Sequence, residues 1–406
     1  MSSSPEPFRM GRTEFVALLA MMLASVAFSI DSMLPALPEI GAELSPNAIE
    51  RAPLILSTFL LGMGIGTFFT GPLSDAFGRK PVILISSALF ILSAAVAYIS
   101  QSFEMVLIAR LVQGLGAAGP RVVTNAIVRD RFSGRQMAKI MSIIMMVFVL
   151  VPAVAPLLGS FIIGWSGWRG IFIAFILFAA TFTVWMLIRL PETLPFENRR
   201  PLRLRLMGAA VREVLSQPIV RLAIIAQMLV SAMIFLTLML VQPIYDIVYG
   251  RGDEFPYWFF GIAIVAGCAS LLNALLVERF GMWKLITAAV VVQIVFAGSF
   301  IVFDLGGGPY GFFFFLFWMT GIFFQAGFSI GNLNAIAMEP VGHIAGMAAS
   351  VISAIATVGA VMISGPIGTN FNGSEQMLTV SVLVMALVGL LCMLRMGRLM
   401  KDAEKP

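Results

Sequence analysis

Charge is scarce in this chain. Only 12% of its 406 residues are Asp, Glu, Lys or Arg, against 59% hydrophobic, and the mean hydropathy is +0.97. Soluble domains carry roughly 25% charged residues, so a water-soluble fold is excluded for want of polar surface. Cysteine is nearly absent. Cys268 and Cys392 each sit inside an apolar run, which excludes a disulfide scaffold and a thiolate metal site. One histidine, His343, with no clustered acids leaves metal catalysis without ligands. The alternating ten-residue segments that build membrane barrels are missing as well.

What is present is a succession of long apolar runs. Crossing a hydrocarbon core of about 30 Å takes roughly 20 helical residues. Lipid offers no partner to bare backbone groups, so runs of that length are helices. The sequence predicts twelve: 14–36, 53–73, 81–101, 104–126, 138–163 and 169–189, then 220–244, 255–277, 283–303, 309–338, 343–367 and 376–396. The expected fold class is all-α and polytopic. The first run follows Arg9 and Arg12 as a signal peptide would, but it is too long and lacks a small-residue cleavage site, so it is expected to be a retained helix.

Basic residues fall in alternate loops: Arg79 and Lys80; Arg129, Arg131, Arg135 and Lys139; Arg199, Arg200, Arg203, Arg205 and Arg212; Arg279 and Lys284; and Arg395, Arg398, Lys401 and Lys405 at the end. The other loops are mostly acidic. The positive-inside rule therefore places both termini and the 71–80 loop in the cytoplasm, and the net charge of +5 reflects topology rather than a nucleic-acid partner. The Pro- and Arg-rich stretch 191–219 reads as a cytoplasmic linker between an N-terminal six-helix bundle, 1–190, and a C-terminal one, 220–406. A shift of 203 residues sets Glu278, Phe280 and Gly281 against Asp75, Phe77 and Gly78. Each set follows the second helix of its own half, which suggests duplicated halves, the plan of many secondary transporters.

The segment GPLSDAFGRK at 71–80 concentrates charge, glycine and proline between two apolar runs. Gly71 is expected to end the second helix and admit a neighbouring backbone, and Gly78 to adopt a positive φ. Pro72 and Pro81 are expected to mark a helix end and a helix start. Asp75 is placed to bond an arginine or the N-terminus of an adjacent helix, latching helix ends in one conformation. Arg79 and Lys80 suit such a latch and suit a plain topology anchor equally well.

Gly71, Leu73, Asp75, Gly78, Arg79 and Lys80 resemble the loop 2–3 signature of the major facilitator superfamily. DSMLPALPEI at 31–40, ARLVQGLGAAG at 109–119, AIVRDRFSG at 126–134, VPAVAPLLGS at 151–160, GWRGIF at 167–172 and NLNAIAMEPVGHIAGMAAS at 332–350 are similar to drug:proton antiporters of the bicyclomycin/chloramphenicol-resistance type. The resemblance covers essentially the whole chain. It implies two pseudo-symmetric six-helix bundles rocking about a central cavity, in a bacterial inner membrane, exporting small amphiphilic compounds in exchange for protons. The proton is then the coupling ion, no cofactor is expected, and the two-bundle plan needs only a single chain, so a monomer in lipid is expected. Pro152, Pro156 and Gly159 match the fifth-helix antiporter-like motif, whereas Ala155 and Ser160 stand where that pattern usually has glycine. Arg129 and Asp130 are assigned to the gate network of the 71–80 loop, or to a topology anchor.

Two charges within the apolar runs stand out, Asp31 and Arg110. Asp31 lies seventeen residues after Glu14, about 25 Å along the first helix, and Arg110 lies six residues, about 9 Å, from Glu104 along the returning fourth. Charges at such depth usually face a cavity and have partners. A carboxylate beside arginine holds its proton weakly and one left in an apolar cavity holds it tightly, so helix movement would convert into proton binding and release at Asp31. A permanent ion pair between the two helices is the plainer alternative. Pro35 and Pro38 are expected to bend or unwind the outer end of helix 1, and Pro152 and Pro156 to do the same to helix 5.

The polar residues available to a substrate cavity are Gln113, Gln227, Gln325 and Asn332, with Asn273 and Asn334. The run Phe312–Phe315 is expected to face lipid. Gly114, Gly116 and Gly119 spell GxGxxG, and Gly327, Ser329 and Gly331 spell GxSxG, but both lie within apolar helices and are assigned to packing. Three functions stay open at this level: a proton-coupled exporter, an importer or metabolite-specific antiporter of the same plan, and a non-transporting sensor or scaffold. Buried Asp31 and Arg110 argue against the last, because a scaffold gains little from ionisable groups at that depth.

Overall fold

A computed structural model of the chain describes residues 10–199 and 201–403. Arg9, Arg200 and Lys405 lie outside the described residues. Among those described there is no strand, and twelve helices of 20 to 33 residues account for most of the chain. In order they are α1 Arg12–Asp31, α2 Leu54–Phe77, α3 Arg79–Ile99, α4 Phe103–Arg131, α5 Gly134–Ser166, α6 Arg169–Arg189, α7 Pro218–Pro243, α8 Phe255–Phe280, α9 Met282–Val302, α10 Gly311–Met338, α11 Ala345–Gly368 and α12 Gln376–Ala403. The 58-residue stretch Gly311–Gly368 is two crossings, because its helix breaks at Glu339–Ile344, where Val341 leaves the helical region at φ −120°.

Small residues set the closest packing. A methyl group at Gly62 of α2 or Gly114 of α4 would overlap the carbonyl oxygen of Leu111 or Phe59, so these helices touch backbone to backbone. Gly116 does the same for α4 against the Ser86 carbonyl of α3, and Gly119 makes room for the Ser86 side chain, so the GxGxxG pattern is packing. In the second half, α7 packs on α10, α11 and α12. The first and last six helices meet along two seams, α2 with α11 and α5 with α8. The α2–α11 seam runs the length of both helices: Gly365 sits near Ser57, Gly64 against Val358, and Gly71 against Ser350.

The repeat has a structural counterpart. Gly78 (φ 103°, ψ 160°) turns the chain from α2 to α3, and Gly281 (φ 81°, ψ 153°) turns it from α8 to α9. Both conformations favour glycine, and their likeness at equivalent places is what a duplicated half requires.

Several elements differ from the sequence expectation. Helix α2 does not end at Gly71. It continues through Pro72 to Phe77 and stops only at Gly78, since a membrane helix tolerates a proline whose freed carbonyl finds other partners. Helix α5 likewise runs unbroken through Pro152 and Pro156. Helix α1 does stop at Asp31, and the chain continues through the short turn Leu34–Ala36 into the helix Leu37–Leu44, as Pro35 and Pro38 lead one to expect. The phenylalanine run is two-faced: Phe313 and Phe314 are exposed, whereas Phe312 and Phe315 are buried, because positions three apart share a helix face. The linker contains a helix of its own, Leu204–Ser216, which buries Met207, Ala210 and Val214 and carries Glu213, 2.6 Å from His343.

Candidate functional site

Arg79 organises the face that carries the basic loops. Its Nη1 donates to Asp75 Oδ1 (2.5 Å) and Ser74 Oγ (2.9 Å), and its Nε donates to Asp130 Oδ2 (2.9 Å) at the end of α4. Thr193 Oγ1 also donates to Asp130, at 3.0 Å. Asp75 therefore meets an arginine, as the sequence suggested, but not a helix N-terminus. That position belongs to Glu192, whose carboxylate accepts the backbone N–H of Arg79 and Lys80 at 3.0 Å each and caps α3. Lys80 Nζ in turn donates to the carbonyls of Leu187 and Leu190 at the end of α6.

Glu192 was missed in the sequence, where it sits in the polar PET stretch after α6 with nothing to mark its partner. Arg129 was expected in this network, yet it is exposed and makes no ion pair or side-chain hydrogen bond among the described residues. Neighbouring helical residues point about 100° apart, so only one of Arg129 and Asp130 can face Arg79. All these bonds tie together elements of the first half and its exit. On the same face Phe68, Pro72, Met207, Ala210, Met347, Ser350 and Val351 line a small void where α2, the linker helix and α11 meet.

Near the opposite face, Arg110 is fully buried, and among the described residues each of its hydrogen bonds goes to a neutral dipole. Nη2 donates to Ser29 O of α1 (3.0 Å), Nε to Ile55 O of α2 (3.3 Å) and Nη1 to Gln113 Oε1 (2.7 Å). The guanidinium lies 4.3 Å from the Phe59 ring centre, a cation–π contact that neutral surroundings strengthen. The Ser29 carbonyl is free to accept because α1 ends two residues later, while the Phe28 carbonyl before it takes the cap N–H of Ser32.

Asp31 is buried, 5% exposed, and no hydrogen bond or ion pair among the described residues reaches its carboxylate. It does not face lipid. The structure thus brings Arg110 to the helix of Asp31 but leaves the two side chains unpaired. Helix α5 reaches the same place: a methyl on Gly159 would overlap the Ser32 carbonyl, the residue next to Asp31. Pro156, one turn earlier, is buried beside it, and Pro152 is half-buried.

The four polar residues expected in one cavity are dispersed. Gln113 accepts from Arg110, with its own Nε2 unpartnered. Gln227 on α7 is buried with Oε1 unpartnered. Asn332 on α10 donates to Asn273 Oδ1 of α8 (2.8 Å) and to the Phe328 carbonyl. Gln325, also on α10, lines a separate crevice between α8, α9 and α10. Polarity within an apolar helix marks a residue as needing a partner; it does not say which side of the helix supplies one.

Residues 17–364 match the family model of the Major Facilitator Superfamily. The chain belongs to the major facilitator superfamily. It is therefore a multi-pass integral membrane protein that transports small molecules, not an enzyme. A bicyclomycin resistance protein homolog of Haemophilus influenzae is 31% identical over 364 residues, covering 86% of this chain and 88% of that one. A chloramphenicol resistance protein of Pseudomonas aeruginosa is 35% identical over 173 residues, 42% of this chain and 41% of the relative. Among solved structures, a D-xylose–proton symporter superposes with a TM-score of 0.72 at 15% identity, covering 94% of this chain and 97% of that one, which supports the fold of two six-helix bundles.

Proposed function

We propose that this transporter exports small amphiphilic compounds in exchange for protons, by alternating access, across a bacterial inner membrane. Its lipid-embedded unit is a monomer, the halves being 1–190 and 220–406 joined by 191–219, with both termini and the Arg79 cluster on the cytoplasmic side. The proton is the coupling ion and no cofactor takes part. Export is supported by the resistance names of relatives covering most or part of the chain, and the orientation by the distribution of Lys and Arg.

The observation that carries the coupling reading is a buried carboxylate without a partner beside a buried guanidinium held only by dipoles. A carboxylate in an apolar site must be neutralised, by a proton or by a cation. Arg110 is anchored to α1 at the Ser29 main-chain carbonyl, and Asp31 follows two residues later at the end of the same helix. Turning the end of α1 exchanges the Ser29 carbonyl for the Asp31 carboxylate as the guanidinium's partner, and the proton leaves. Gly159 permits that movement by letting α5 ride directly on the backbone at Ser32. Gln113 and Gln227 each keep one buried amide atom without a hydrogen-bond partner, which a substrate entering between the helices can take up.

The test uses proteoliposomes with an internal pH reporter, challenged with cationic, neutral and phenicol-like compounds. Substrate-induced proton movement supports the reading. Transport of the same compounds with no proton movement in wild type would contradict it.

A further inference from the structure

A crevice of about 620 Å³ lies between α8, α9 and α10, remote in sequence from Asp31 and Arg110. Its rim residues Val265, Val292 and Phe317 are exposed on the apolar outer surface of the last six helices. It sits at mid-span: Gln293 is eleven residues, about 17 Å, from the start of α9, and Gln325 is fourteen residues, about 21 Å, from the start of α10. That volume is within the range of drug-sized binding sites, roughly 300–1,000 Å³.

The walls are mainly phenylalanine and aliphatic side chains, and no ionisable residue lines the crevice. Its polar part is unusual. Gln293 and Gln325, 1% and 4% exposed, both line it; Nε2 of Gln293 and both amide atoms of Gln325 have no hydrogen-bond partner. Gln293 Oε1 lies beside Gly321, one turn from Gln325 on α10. Thr320, also in the lining, already spends its hydroxyl on the Leu316 carbonyl. Unbonded amides are costly in an apolar medium, so this pair is left short of a ligand carrying both a donor and an acceptor.

We propose that the crevice is a second binding site, filled from the bilayer by an uncharged amphiphile. Its carboxamide or hydroxyl group bonds Gln293 and Gln325, and its apolar body packs on Phe296, Phe317, Phe324 and Phe328. A charged ligand is disfavoured because nothing there neutralises it, and a bare lipid tail leaves the amides unsatisfied. The site does not depend on export or on proton coupling.

The experiment is photolabelling of the full chain in lipid nanodiscs with three diazirine probes: decanamide, decane, and a phosphatidylcholine labelled in its acyl chain. The expected result is labelling of α9 and α10 peptides around residues 285–296 and 317–328 by the amide, suppressed by unlabelled decanamide. Gln293→Leu/Gln325→Leu should cut that labelling about tenfold, the loss of one to two net hydrogen bonds. The same variant should melt no lower than wild type, because leucine removes unpaired buried groups. Ala288→Phe, which fills the mouth from an exposed position, tests the site should the double variant fail to fold, and should abolish amide labelling. Equal labelling by decane or phosphatidylcholine, or amide labelling unchanged in either variant, would show a lipid-tail groove and overturn the proposal. Asp31→Asn should leave labelling unchanged, which separates this site from the coupling mechanism.

Discussion

Arg110 donates a 3.0 Å hydrogen bond to the main-chain carbonyl of Ser29, two residues before Asp31 on the same helix. One fully buried guanidinium thereby joins α4 to the ends of α1 and α2 and to the Phe59 ring. Lysine carries the same charge but not the planar fork that reaches three acceptors at once. Arg110→Lys should lose transport at least tenfold and lower stability by about 1–3 kcal/mol for each acceptor left unpaired. Thermal unfolding in nanodiscs, run beside the transport assay, checks both.

Gly159 and Gly164 lie on the same helix, but only the first is against backbone. Gly159→Ala should push α5 from the end of α1, costing about 1–3 kcal/mol by overpacking and impairing coupled transport. Gly164→Ala, which meets open space, should do neither. Equal behaviour of the two variants would show that the contact at Ser32 is unimportant.

The Glu192 cap predicts a second matched pair. Glu192→Ala removes the acceptor of two N-terminal amides of α3 and should cost about 0.5–2 kcal/mol of stability. Arg129→Ala should cost almost nothing despite its place in the resistance-type segment. Unfolding midpoints of the two variants provide the comparison.

Much of this architecture is legible in the sequence because lipid leaves the backbone few choices: apolar length alone places all twelve helices, and Gly78 announces its turn. The partners of charges are less legible. Asp75 finds an arginine four residues away, and the helix N-terminus goes to Glu192, more than a hundred residues further on, a pairing no local pattern encodes. Phe312 and Phe315 turn inward although hydropathy treats all four phenylalanines alike, since the hydrophobic effect does not tell a protein interior from a bilayer. The linker helix was readable in principle from the apolar spacing of Met207, Ala210 and Val214, but its basic, proline-rich surroundings masked it.

That linker helix makes a further expectation testable. Met207 and Ala210 pack beside Ser350, where α2, the linker helix and α11 meet. Met207→Asp places a charge against Phe68 and Val351 and should open this junction. A cysteine at the buried Ser350 position should then react with a maleimide added from that side at least several-fold faster than it does without the Met207 change. Unchanged reactivity would mean the packing there does not depend on the linker.

If Asp31 carries the coupled proton, the decisive measurement is proton movement during transport by Asp31→Asn in proteoliposomes. Asparagine fits the same space and holds no exchangeable charge. A folded, substrate-binding Asp31→Asn protein should show no substrate-driven proton movement and no accumulation against a gradient. Proton-driven transport at wild-type rates in that variant would contradict it.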